Sequence, residues 1–265
     1  MKNLIYLPFF LLNFLIVKDG VHIPSHNIVS EVKIPDNGPD VSTDLQGAWT
    51  SYEINEKGEK ITITTIVMDG YLAESFYNEN TREFIRTFGG SWNVEKNVFT
   101  LTLEFSSADS SKVGNVKELV FDLKGDTITF EGSDKVWTRI DDGQNGELKG
   151  AWLITGRKRD GTLTRRAPGD RKTMKILSGS RFQWIAYNTA TGKFFGTGGG
   201  TYTAQNGNYT ENIEFFSRDR NRVGATLSFH YEIKENEWHH SGLSSKGDPI
   251  YEIWSPRIMP LNMNE

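Results

Sequence analysis

The stretch ATLSFHYEI, residues 225–233, alternates without a break: Ala225, Leu227, Phe229, Tyr231 and Ile233 are apolar, and Thr226, Ser228, His230 and Glu232 between them are polar. Successive side chains of a strand point to opposite faces, so a period of two describes a strand with one face in a core and the other in water. The same beat returns in ITITTIVM (61–68), VFTLTLEF (98–105) and DTITFEG (126–132). Turn signals such as Asp69-Gly70, Gly125-Asp126, Asn206-Gly207 and Gly247-Asp248 separate the runs at short intervals. Beyond the amino-terminal leader, no stretch of ten or more residues carries a good helical stripe. The sequence predicts an all-β protein built from hairpins.

These runs come in two sets. Leu45-Gln46-Gly47-Ala48-Trp49 returns as Leu148-Lys149-Gly150-Ala151-Trp152, and further matches follow in the same order. MDGYLAESFYN, ending at Asn78, matches LSGSRFQWIAYN, ending at Asn188; Gly89-Gly90-Ser91-Trp92 matches Gly199-Gly200-Thr201-Tyr202; Val113-Gly114 matches Val223-Gly224. Each copy closes on a tryptophan, Trp137 in VWTRI and Trp254 in EIWSPR. A copy therefore holds about eight consecutive antiparallel strands, which close most economically into an up-and-down barrel without exposed edges. A two-sheet sandwich is the alternative. The expected division is a first barrel over 45–141, a short polar connection suited to a hinge of limited reach, and a second barrel over 148–257.

With 30 Lys plus Arg against 34 Asp plus Glu, the net charge of -4 offers no basic field for a nucleic acid or an anionic membrane. Residues 1–20, with Lys2 ahead of an apolar run from Leu4 to Val17, have the layout of a bacterial export signal, and the apolar run itself is too short to span a bilayer as a helix. A periplasmic or secreted protein without a transmembrane span in its mature form is expected. Residues 21–44 read as an irregular lead-in. The chain contains no cysteine, so its stability must come from its cores.

The opening Gly-x-Trp of each copy, with Arg139 after Trp137 and Arg257 after Trp254, resembles the signature of the lipocalins and the wider calycin superfamily. The resemblance implies that a basic side chain from the last strand lies across the first-strand tryptophan, pairing Trp49 with Arg139 and Trp152 with Arg257 by cation–π attraction. The second copy is also similar to an uncharacterised lipocalin-like family of secreted Bacteroidetes proteins, through Phe182, Trp184, Tyr187, Asn188, Gly198 to Tyr202, Tyr209-Thr210-Glu211 and Trp238 with His240. No activity comes with that likeness.

Parity then picks out candidate residues. With the more apolar face of 209–216 turned inward, Tyr209, Glu211, Ile213 and Phe215 face the lumen. On 237–242 the inward set contains Trp238 and His240, and on 250–255 it contains Ile250, Glu252 and Trp254. A buried carboxylate must be paired, neutral or wet, so Glu211, His240 and Glu252 mark a polar lumen walled by Trp184, Tyr202, Tyr209 and Trp238. Two readings stay open: a site for a small, partly apolar ligand, or a polar network that holds the core together. His239 and His240 face opposite sides of a strand and cannot simply share a metal; no metal or other cofactor is expected. Gly196 and Gly198–Gly200 are followed by no Lys-Ser/Thr pair and no helix, so they mark a bend or close backbone approach and not a phosphate loop. Basic residues gather at 157–159, 165–166, 171–172 and 218–222, as solvated hairpin ends or as a positive mouth for an anion. Three functions follow from the whole: a non-enzymatic carrier of a small molecule in the second barrel, an envelope interaction module binding a glycan or protein, and a hydrolase or isomerase using Glu211, His240 and Glu252.

Overall fold

The computed structural model describes residues 41–244 and 247–258; the export signal and most of the lead-in lie outside them. The last lead-in residues are helical, in α1 (Val41–Leu45). The first barrel is formed by β1 (Gly47–Ile54), β2 (Lys60–Met68), β3 (Tyr71–Asn78), β4 (Glu83–Glu95), β5 (Val98–Ser106), β6 (Val116–Lys124), β7 (Thr127–Phe130) and β8 (Val136–Asp141). The second is formed by β9 (Gly150–Arg159), β11 (Arg171–Leu177), β12 (Arg181–Asn188), β13 (Phe194–Gln205), β14 (Asn208–Phe216), β15 (Thr226–Lys234), β16 (Glu237–Leu243) and β17 (Pro249–Pro256), with one extra strand, β10 (Thr162–Arg165), paired on β9. Every neighbouring pair is antiparallel, and β1 with β8 and β9 with β17 close the two cylinders. Closure rules out the sandwich alternative.

The repeat holds at the level of single atoms. The Trp49 indole donates to the Leu45 carbonyl at 3.0 Å and the Trp152 indole to the Leu148 carbonyl at 2.9 Å. Between β4 and β5 the register shifts at Gly89/Gly90, and between β13 and β14 at Gly199/Gly200. A Cβ on Gly90 would sit 1.9 Å from the Thr102 carbonyl oxygen and one on Gly200 2.0 Å from that of Asn212, so these bulges admit only glycine.

The two barrels share a core. Ile66, Met68, Tyr71, Ala73 and Phe105 from the outer face of the first pack against Ala151, Leu153, Met174, Ile176, Ile185 and Tyr187 from the outer face of the second. As a result β2 and β3 are buried on both faces almost throughout. Tyr187 Oη donates to Glu104 at 2.7 Å and, in the opposite direction, Tyr77 Oη donates to Glu214 at 2.9 Å. The ring pairs Phe105–Tyr187 and Tyr77–Phe215 both stand 4.9 Å apart, and Phe84 stacks on Phe194 between them. Since Tyr77 pairs with Phe84 where Tyr187 pairs with Phe194, and Gly89 with Phe105 where Gly199 pairs with Phe215, the same contact is made twice.

The connection after β8 is not a hinge. The Asp141 carboxylate accepts from the Ser178 hydroxyl (2.8 Å), the Gly179 and Ser180 amides (2.9 and 3.0 Å) and the Ser180 hydroxyl (2.6 Å), pinning the end of the first barrel to the β11–β12 turn of the second. Burial opposes ionisation of Asp141, but these donors outweigh it and hold its pKa below the ordinary value.

Candidate ligand site in the second barrel

Arg139 and Arg257 take different places. The Arg139 guanidinium lies 4.0 Å from the centre of the Trp49 ring and donates to the Gln46 and Asp44 carbonyls at 3.0 and 2.7 Å. Arg257 does not lie over Trp152. It crosses Tyr71 of the other barrel at 3.8 Å, holds Glu104 through two bonds of 2.6 and 2.7 Å, and donates to Tyr187 Oη at 2.8 Å. The cause is one residue: Arg139 stands two positions after Trp137 and shares its face, whereas Arg257 stands three after Trp254 and points the other way. Trp152 instead meets the edge of Trp238, 5.9 Å between centroids.

Inside the second barrel, Glu211 is buried, and its Oε1 accepts from Lys175 Nζ at 2.8 Å and from Tyr209 Oη at 2.9 Å. The Lys175 ammonium sits among four rings, 4.8 Å from Tyr209 and Trp238, 5.3 Å from Trp254 and 5.9 Å from Phe229. Cation–π attraction to these faces, together with the carboxylate, is what makes a buried lysine tolerable. Burial first, and Glu211 second, hold the Tyr209 phenol protonated far above its ordinary range. Tyr202 is directed elsewhere: its hydroxyl donates to the Ser178 carbonyl at 2.6 Å.

His240 is packed among Phe229 (4.3 Å), Trp238 (5.4 Å) and Tyr209 (5.7 Å), its ring tilted to the first two and edge-on to the third. Its Nδ1 stands 3.5 Å from Glu252 Oε2, an ion-pair distance without hydrogen-bond geometry, so neither ring nitrogen makes a hydrogen bond. Burial, helped by Lys175, pushes the His240 pKa down, which favours the neutral ring. Glu252 goes the same way for other reasons: burial resists its ionisation, but His240, Arg157 and Lys175 outweigh that and keep it a carboxylate. Arg157 meets the other side of Glu252 at 3.0 Å. Trp184, half-buried, packs on this core and on Phe216 at 5.5 Å.

Of the expected residues, Tyr209, Glu211, Trp238, His240 and Glu252 converge on one space around Lys175; Trp184 borders it and Tyr202 lies against Tyr209, 5.8 Å between centroids. Phe215 is not in that lumen. The bulge opposite Gly199/Gly200 makes Glu214 the extra residue, so Phe215 turns to the neighbouring barrel and Phe216 turns inward. Sequence reasoning missed Lys175, and it named Arg157 only within the basic cluster at 157–159, without its pairing to Glu252. In Met174-Lys175-Ile176 the apolar pair looks like the lumen face, but it is buried against the first barrel, and the lysine faces the lumen.

Five of the six buried side-chain polar atoms that lack a hydrogen-bond partner among the described residues belong to this region: Arg157 Nε, Trp238 Nε1, Trp254 Nε1 and both nitrogens of His240. Four are on three residues of the aromatic cage itself. Such atoms are rare in folded proteins and call for water, an ion or a ligand. Among the described residues, no helix is long and apolar enough to cross a membrane. A scan of family models found no match to the chain, and a search of curated proteins found none either.

Proposed function

We propose that this is an exported, non-enzymatic protein of the lipocalin-like, calycin type that carries a small, partly apolar molecule in its second barrel. The observation that carries the reading is the cluster of unpartnered buried donors on Trp238, Trp254 and His240, set in an aromatic wall and concentrated in one of two homologous barrels. A core polar network built for stability alone would satisfy its own members. This one satisfies Glu211 and leaves its neighbours open. Aromatic walls with a few placed polar groups are what small-molecule sites are made of. Export rests on the leader at 1–20, ahead of the described residues.

Native mass spectrometry of the full chain purified from its own host tests the proposal. A non-covalent adduct that disappears from a Trp238→Phe, His240→Phe double variant of unchanged fold is the expected result. An adduct-free protein whose tryptophan emission responds to no member of a panel of aromatic and aliphatic small molecules would sink it.

A further inference from the structure

The second barrel differs from the first by an insertion at its mouth. The chain takes 16 residues to pass from Trp49 to its cross-strand partner Thr65, but 23 from Trp152 to Lys175. The added length forms β10 and its flanks, and residues 157–172 hold seven cationic side chains against two anionic ones, in a protein of net charge -4. This hairpin encloses an open cavity of about 350 Å³ lined by Arg157, Arg159, Arg165 and Arg166 over a floor of Ile154 and Gly156.

Two of the four arginines are already neutralised: Arg165 makes a fork of 2.7 and 2.8 Å with Glu237, and Arg157 pairs with Glu252. Arg159 and Arg166 make no side-chain hydrogen bond or ion pair among the described residues, and Arg157 Nε is buried without a partner. Arg166 also loses hydration and feels Arg157 and Arg171 as like charges. The floor separates the cavity from the lumen by one side chain, since Ile154 belongs to the same apolar cluster as Trp238 and Trp254, and Arg157 reaches Glu252 beside His240. Charged donors outnumber carboxylates here: Arg157, Arg159, Arg166 and Lys175 stand against Glu211 and Glu252, both of which are already engaged.

The geometry points to an organic anion as the ligand, its carboxylate, phosphate or sulfate held at the mouth by Arg159, Arg166 and Arg157, and its apolar part directed past Ile154 toward the aromatic cage. This assignment rests on the carrier reading above for the apolar part only. Guanidinium forks suit planar or tetrahedral oxyanions, and a basic mouth raises the local concentration of anions in a way that salt weakens.

Calorimetric titration of the full chain with decanoate, decanol and inorganic phosphate separates the elements. Decanoate is expected to bind on the order of tenfold more tightly than decanol, more weakly at high salt, and Arg166→Gln is expected to bring it down to the level of decanol while leaving decanol unchanged. Arg159→Gln, at an exposed position, gives the same direction should the first variant fold poorly. Equal binding of decanoate and decanol, insensitive to both substitutions, overturns the anion assignment and leaves the carrier reading standing. Phosphate binding that depends on Arg166, with neither decyl compound retained, upholds the anion site and overturns the apolar lumen. Absence of binding by all three probes overturns both.

Discussion

Where the first barrel carries Leu101 opposite Trp92, the second carries Glu211 opposite Tyr202; where it carries Phe130 and Ile128, the second carries His240 and Trp238. Thr65, beside Trp49, corresponds to Lys175 beside Trp152. The frame is the same down to its glycine bulges, so the difference lies in what fills it. Leu101, Leu103, Phe121, Ile128 and Trp92 make the first lumen an apolar core around a single buried acid, Glu74, which is bonded to Thr65 at 2.6 Å. The second lumen is a donor-rich aromatic cage. One copy of the repeat thus fills its lumen with an apolar core, while the other holds buried polar chemistry in the same frame.

The largest effect is expected where the two barrels meet. Arg257→Ala strips Glu104 of its buried partner and should cost about 3–5 kcal/mol, read as a lower midpoint in chemical denaturation. Loss of both barrels in one transition is the expected form; two separate transitions would break the picture of a shared core. Arg181→Ala, at the counterpart contact with the more exposed Glu214, should cost only about 1–2 kcal/mol.

Next comes the lumen. Lys175→Met leaves the Glu211 carboxylate buried with only Tyr209 Oη as its donor and should cost about 3 kcal/mol or more, whereas Lys175→Met with Glu211→Leu, which gives the second barrel an apolar pair in place of the ion pair but strands Tyr209 Oη, should recover much of that loss, to within about 2 kcal/mol of the wild type. A double variant as unstable as the single one would mean that the two lumens are less interchangeable than their frames.

The smallest effect is one of pH. Because burial and Lys175 lower the His240 pKa below its unfolded value of 6.5, its contribution to stability is intact above that value and is lost as pH falls through the folded pKa. Glu252, Asp141 and Glu237, all with lowered carboxyl pKa values, add losses of the same sign at more acidic pH. Melting temperatures of wild type and His240→Gln should therefore diverge in their pH slope between neutrality and mild acid, with the flatter curve for the variant. Parallel curves would place His240 outside the titrating set.

Much of this was legible in the sequence. Alternation and turn residues specify hairpins, the recurrence of Gly-Ala-Trp specifies two copies, and uninterrupted parity puts Glu211, His240 and Glu252 inside. The failures are all failures of parity, each with its own physical cause. On β11 both faces are buried, so Met174 and Ile176 masked the inward Lys175; at Phe215 a bulge reversed the count; at Arg257 one residue separated a ring-covering cation from one that reaches across to Glu104.

The paired contacts between the barrels have a consequence for assembly. Tyr77 on Glu214 and Tyr187 on Glu104, with Phe84 against Phe194 at the centre, are what an isologous, two-fold interface looks like when its subunits are joined end to end. One polypeptide thus encloses the geometry of a homodimer, and the patch by which a lone barrel would find its mate is occupied from the moment of folding. With both halves in one chain, that equilibrium no longer depends on concentration, and the two halves need not be identical, as their lumens are not.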